Sequence, residues 1–174
     1  VTQIFNSVSK TTVNYSDQLQ YQDSYHEMDI YTPNGDTASN RPLIIFIHGG
    51  SYLGGSKTEI DCIDFCENFA KKGYVTASVN YRLSSNQLNF VLSQEEQYST
   101  VWKSVADVKA AIRHFRKDYF NGNNYGIDQN TIFIGGSSAG AVTALHLAYI
   151  NDVLDLPNTS SPNGTNIQTL INNS

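Results

Sequence analysis

The chain is short of cations. Eleven Lys and Arg stand against 16 Asp and Glu in 174 residues, a formal net charge of −5. No basic run occurs, which argues against nucleic acid and against an anionic membrane surface as partners. Long apolar runs are missing as well. Stretches such as LIIFI at 43–47 are far too short to cross a bilayer, so no membrane span is expected. Cysteine is scarce, with Cys62 and Cys66 only. Four residues apart, they share one helix face, a spacing that suits neither a zinc site nor a C-x-x-C redox pair. They read as two small core thiols, with a partner elsewhere for one of them as the other reading. No His/Cys/Asp cluster has metal-ligand spacing, so neither metal nor cofactor is expected. There is no internal repeat and no dividing linker, so one domain is expected. The opening VTQIF has no Met and no signal-type apolar region, and reads as a mature or trimmed form. The sequons NYS, NTS, NGT and NNS read as composition in a chain so rich in Asn, Ser and Thr. That Asn-rich, Lys-poor composition leans toward an extracytoplasmic or secreted location.

What is present is a core. Hydrophobic residues make up 40% of the chain, enough for a real interior. TTVNYS and YHEMDIYTP alternate apolar and polar residues and predict strands with one solvated side. LIIFIHGG is a β-branched run stopped by glycines, the pattern of a strand buried on both faces. A helix is predicted over 58–72, with Thr58 and Asp61 as a capping box and Ile63, Phe65, Cys66, Phe69 and Ala70 facing inward. Gly73 is its natural C-cap. A strand follows over 74–83, then a long helix over about 95–120. Its stripe of Val101, Val105, Val108, Ile112, Phe115 and Tyr119 falls at steps of four and three. TIFI is a strand, and AGAVTALHLAYI a helix. Alternating strands and helices predict an α/β fold with a mainly parallel sheet and helices on both faces.

Chemistry in such sheets gathers at the carboxyl ends of strands. Two glycine-rich turns lie there, HGGSYLGG after the first buried strand and GGSSAGA after the third. Read as G-x-S-x-G, only the frame Gly136-Ser137-Ser138-Ala139-Gly140 fits, because Ala139 blocks a frame centred on Ser137. Ser138 is therefore the candidate nucleophile. A serine on a tight strand-to-helix turn crowds its neighbours two residues away, and glycine at both positions removes the clash. The following helix aims its first amides at the turn. Glycines after His48 leave backbone amides bare to face an oxyanion, together with the amide of Ala139. His48 reads as a residue that packs behind this loop and shapes it.

FIHGGSYLGGSK, VNYRL, ADVKAAIRHFRKDY and GIDQNTIFIGGSSAGA together resemble the α/β-hydrolase fold, and more narrowly the carboxylesterase/lipase group with its hormone-sensitive-lipase-like and type-B esterases. The motifs keep the family's order over most of residues 25–150. The resemblance implies a serine carboxylesterase acting through an acyl-enzyme on a small-molecule ester, with Ser138 as nucleophile and Gly49, Gly50 and Ala139 in the oxyanion hole. Many relatives have a third glycine where this chain has Ser51, so the donor is Ser51 or Gly49. Tyr52 is the candidate substrate-binding residue, lining an acyl pocket; the other reading is an aromatic covering the core. The resemblance also implies a structural ion pair between Arg82 and Asp107. Trp102 is expected in the core, and Asp128 in turn chemistry before the strand.

The base is the missing part. The family order is Ser, then Asp or Glu, then His. After Ser138 there are Asp152, Asp155 and His146. His146 sits two turns along the helix leaving the serine, roughly 12 Å away at 1.5 Å per residue. His114 reads as solvated and His26 as an early-strand residue without a partner. TIFI at the end of a sheet would also be an unprotected apolar edge. The expectation is that 1–174 form the N-terminal half of one hydrolase domain, with the base and its acid partner in a C-terminal half, in a separate or missing segment. Two other readings stay open. One is a different hydrolase on this fold, a peptidase or a carbohydrate-ester deacetylase. The other is a binding protein that kept the fold without catalysis.

Overall fold

The computed structural model describes residues 3–150. Asp152, Asp155 and the segment IQTLINNS lie outside the described residues. Five strands make one sheet: β1 (Val8–Asn14), β2 (Glu27–Pro33), β3 (Arg41–Ile47), β4 (Val75–Val79) and β5 (Ile127–Gly136), in the order β1-β2-β4-β3-β5. β3 pairs in parallel with β4 and with β5, while β2 pairs antiparallel with β1 and β4.

Two-faced burial explains the composition of the central strands. Leu43, Ile45 and Ile47 of β3 point into the larger core with Val75, Ala77 and Val79 of β4. Helix α3 (Gln94–Phe120) and helix α4 (Ala139–Tyr149) cover that side, and the predicted α3 stripe supplies Val105, Val108 and Phe115 as buried residues. Each fully buried aliphatic or aromatic side chain contributes about 1.5–3 kcal/mol. Phe46 points the other way and stacks on Phe65 of helix α1 (Ile60–Ala70), with ring centroids 4.2 Å apart. Cys62 and Cys66 are buried free thiols there, as the first reading had it.

Several local expectations are corrected. The Thr58–Asp61 capping box does not form; Glu59 is the N-cap of α1 with no side-chain bond. Thr58 Oγ1 instead lies 2.8 Å from Ser56 Oγ. β4 ends at Val79, before the YRL segment, because Arg82 is held by Asp107 and not by a ladder. A further short helix, α2 (Gln87–Leu92), is capped by Asn86, whose side chain accepts from the Asn89 amide at 3.0 Å. β5 starts at Ile127, and a register shift against β3 accommodates the turn chemistry of Asp128, which accepts from Thr131 at 2.6 Å. Trp102 stays half-buried outside the core, with the Lys109 ammonium 5.7 Å above its ring. His114 is half-buried against Phe115 and Tyr125.

The Arg82–Asp107 pair is present, with Nη2 at 2.7 Å and Nε at 2.9 Å from the carboxylate. His26 joins it, contrary to its reading as partnerless. It lies in a 3₁₀ turn (Ser24–His26), is 2% exposed, and places Nδ1 2.7 Å from Asp23 and Nε2 3.4 Å from Asp107. Tyr15, Tyr21 and Arg82 complete its surroundings. Nδ1 must donate to the Asp23 carboxylate, so an unprotonated Nε2 would aim a lone pair at Asp107. Burial alone pushes the His26 pKa down; the carboxylates of Asp107 and Asp23 outweigh it, and the pKa is raised. A raised histidine pKa stabilises the fold fully below the ordinary value, and that stabilisation is lost as pH climbs through the raised one. The melting temperature of the wild type should therefore exceed that of His26→Gln most near about pH 6, with the gap closing as pH rises. A gap that is constant with pH in thermal unfolding would count against a charged His26.

Candidate active site

Parallel pairing brings the two glycine-rich turns together. Ile47, the last residue of β3, is the register partner of Gly136 at the end of β5. The turns that begin beside them leave the same edge of the sheet. The Ser137 amide donates to the Ile47 carbonyl at 3.1 Å and ties the second turn to the end of β3.

Ser138 stands between β5 and α4 with φ 49° and ψ −116°, and its residue is exposed. A left-handed φ on a non-glycine residue costs about 1–3 kcal/mol and clusters at functional sites. The glycines around it meet a steric demand. A Cβ on Gly136 would fall 2.6 Å from both the Gly140 carbonyl carbon and the Ile47 oxygen, and one on Gly140 would fall 2.1 Å from that oxygen. The sequence expectation placed the crowding between the two flanking positions. The structure adds the end of β3 as a third party.

The first turn lies against the second. A Cβ on Gly49 would meet Ser138 Cβ and Ser137 Oγ, each at 3.3 Å. Gly50 has φ 109°, Ser51 φ 54° and Tyr52 φ 62°, so the chain rolls over itself with the Leu53 and Gly54 amides on the Gly50 carbonyl. Ser51 takes a conformation that favours glycine, and its side chain is exposed. Among the described residues, the amides of Gly49, Gly50, Ser51 and Ala139 have no backbone acceptor. Ala139 opens α4, where the first amides are without partners by helix geometry. A cavity beside the turn is lined by Gly49, Gly50, Gly55, Ser137, Glu59 and Asp61.

His48 is fully buried and stacks on Tyr81 with ring centroids 4.3 Å apart. Its Nδ1 donates to the Gly49 carbonyl at 2.6 Å, and the Tyr81 hydroxyl donates to the His48 carbonyl at 3.0 Å. Burial lowers its pKa, so the ring is neutral. It shapes the loop from behind. His146 turns back to the Val142 carbonyl at 2.8 Å, and His26 belongs to the Arg82 cluster. Among the described residues, no histidine nitrogen is hydrogen-bonded to Ser138. Tyr52 is 7% exposed and packs in the core cluster, which fits the reading of an aromatic covering the core. Sequence reasoning placed it beside the loop but had no signal for its direction. No group of His, Cys, Asp and Glu among the described residues is arranged to hold a metal ion.

β5 is the last strand of the sheet on its side among the described residues. Its Phe133 is 53% exposed, and Leu145 and Tyr149 of α4 are exposed too.

Residues 28–173 match the BD-FAE family. Carboxylesterase 3B of Mus musculus is 34% identical over 129 residues, 71% of this chain and 21% of the relative. Gut esterase 1 of Caenorhabditis elegans is 32% identical over 110 residues, 63% of this chain and 18% of the relative. Among solved structures, Thermogutta terrifontis esterase 2 phosphorylated by paraoxon superposes with a TM-score of 0.62 at 25% identity, over 91% of this chain and 54% of that one. The chain thus spans about a fifth of these curated relatives and about half of the solved structure. The mixed sheet with helices on both faces is the α/β-hydrolase fold, as the motif order implied.

Proposed function

We propose that this chain, which belongs to the BD-FAE family, carries the nucleophile and the oxyanion hole of a serine carboxylester hydrolase. The observation that carries the reading is one serine held at φ 49° beside four amides without backbone acceptors. Ser138 Oγ attacks the ester carbonyl while a base takes its proton. The carbonyl oxygen gains the negative charge and accepts hydrogen bonds from Ala139 and from Gly49, Gly50 or Ser51. Collapse of the tetrahedral intermediate expels the alcohol and leaves an acyl-Ser138, which water then hydrolyses. The esterase names of the relatives favour an ester over an amide substrate. That a neighbour of this fold, an esterase, is phosphorylated by paraoxon supports a nucleophile that reacts at phosphorus.

The base and its carboxylate come from beyond the described residues. The exposed apolar surface of β5 and α4 supports a further part of the domain docking there. The test is a fluorophosphonate probe on the full-length protein. The label is expected on Ser138 and not on Ser137. No label, together with no hydrolysis of short-chain esters, would sink the proposal.

A further inference from the structure

The oxyanion donors sit on two separate segments, the turn at 49–51 and the start of α4 at Ala139. Their amides must converge on one point to within a few tenths of an ångström. Something has to hold the two segments at a fixed separation. Tyr52 spans them. Its hydroxyl donates to the Ala139 carbonyl at 3.0 Å and lies 3.2 Å from Thr143 Oγ1. Thr143 donates to the same carbonyl at 3.1 Å and touches Ser104 of α3 at 3.1 Å. These hydroxyls are buried, so each bond is dry and its loss is not made good by water.

Tyr52 is itself anchored. Its carbonyl accepts from the Ser84 amide at 2.8 Å, and its ring packs at 6.1 Å from Tyr81 and 6.2 Å from Phe90. Its backbone adjoins Ser51, so its hydroxyl connects one set of amides to the residue that carries the other. Burial also raises its pKa, which keeps the hydroxyl a donor.

We infer that Tyr52 is a positioning residue for this reaction: its hydroxyl, bound to the Ala139 carbonyl beneath the turn, fixes the distance between the two halves of the oxyanion hole. This rests on the serine-esterase reading above. It departs from the expectation that Tyr52 binds substrate, since the side chain acts through Ala139.

The test is Tyr52→Phe in the full-length enzyme, which keeps the ring and its packing and removes one hydrogen bond. The kcat for a short-chain p-nitrophenyl ester is expected to fall about tenfold, short of the ~10²-fold loss on deleting a donor outright. KM is expected to stay within about twofold, because ground-state binding does not use the hole. Affinity for a trifluoromethyl ketone, which forms a tetrahedral adduct with its oxygen in the hole, should weaken by the same factor as kcat. A purely structural role would lower the melting temperature and leave the affinity of the remaining folded enzyme unchanged. Unchanged kcat and ketone affinity in Tyr52→Phe, with an active wild type, overturns the positioning role alone. A wild type that neither hydrolyses esters nor labels at Ser138 overturns the esterase reading and this inference with it.

Discussion

Ser138→Ala is expected to lower kcat/KM for a short-chain ester by about 10⁵-fold in the full-length protein, which is about 7 kcal/mol of transition-state stabilisation. The loss is this large because the covalent path has no substitute nucleophile. Ser137 is the nearest hydroxyl, yet its amide is tied to the Ile47 carbonyl and its backbone does not take the strained φ. Ser137→Ala should therefore keep activity within about tenfold of wild type, a modest effect of second-rank contacts. A third variant separates chemistry from strain. Ser138→Gly removes the hydroxyl and also relieves the left-handed φ of 49°. It should be as inactive as Ser138→Ala and more stable than wild type by about 1 kcal/mol. Urea unfolding and ester kinetics on the three variants check this together. Equal activity loss in Ser137→Ala and Ser138→Ala would mean that Ser138 is not the sole nucleophile of the turn.

The frame was legible because it depends on local sterics, and sterics at a tight turn are written in single residues. Gly136 and Gly140 flank Ser138, and no glycine stands at position 139 to offer an alternative. The α3 stripe was legible for a similar reason, since a period near 3.6 can be read from one segment alone. What escaped depends on partners distant in sequence. His26 looked idle because Asp107 lies 81 positions away and only the packing of α3 brings the two together. The direction of Tyr52 was hidden for the same reason: its partner Ala139 is 87 positions on. The failed capping box at Thr58 shows the opposite error. A local pattern was present, but Ser56 competes for the same hydroxyl. β4 stops at Val79 because Arg82 binds a side chain where a ladder would otherwise run on, and β5 starts before TIFI because the pairing with β3 resumes at Ile127 across a register shift.

Gly140→Ala sets two such effects against each other and lets their sizes decide. Gly140 is the second residue of α4. Helix propensity alone favours alanine there by about 1 kcal/mol. The contacts say otherwise. The new Cβ would sit 2.1 Å from the Ile47 oxygen, 2.6 Å from the Ile47 carbonyl carbon and 2.7 Å from the His48 oxygen. All three are backbone atoms at the end of a central strand, so no side chain can swing aside. Either α4 lifts from the sheet or the β3–β5 ladder opens at Ile47 and Gly136. Overpacking of this kind costs about 3 kcal/mol or more, which exceeds the propensity gain and fixes the sign. Activity should fall further than stability implies, because the same displacement carries the Ala139 amide out of the hole; a shift of about 1 Å there costs on the order of 10²-fold. Gly54→Ala is the comparison, since a Cβ there meets nothing within 4 Å. It should leave the denaturation midpoint and the rate of fluorophosphonate labelling close to wild type. Should Gly140→Ala unfold at the wild-type midpoint with an unchanged m-value, the close approach of α4 to the end of β3 is not what holds Ser138 in its strained turn.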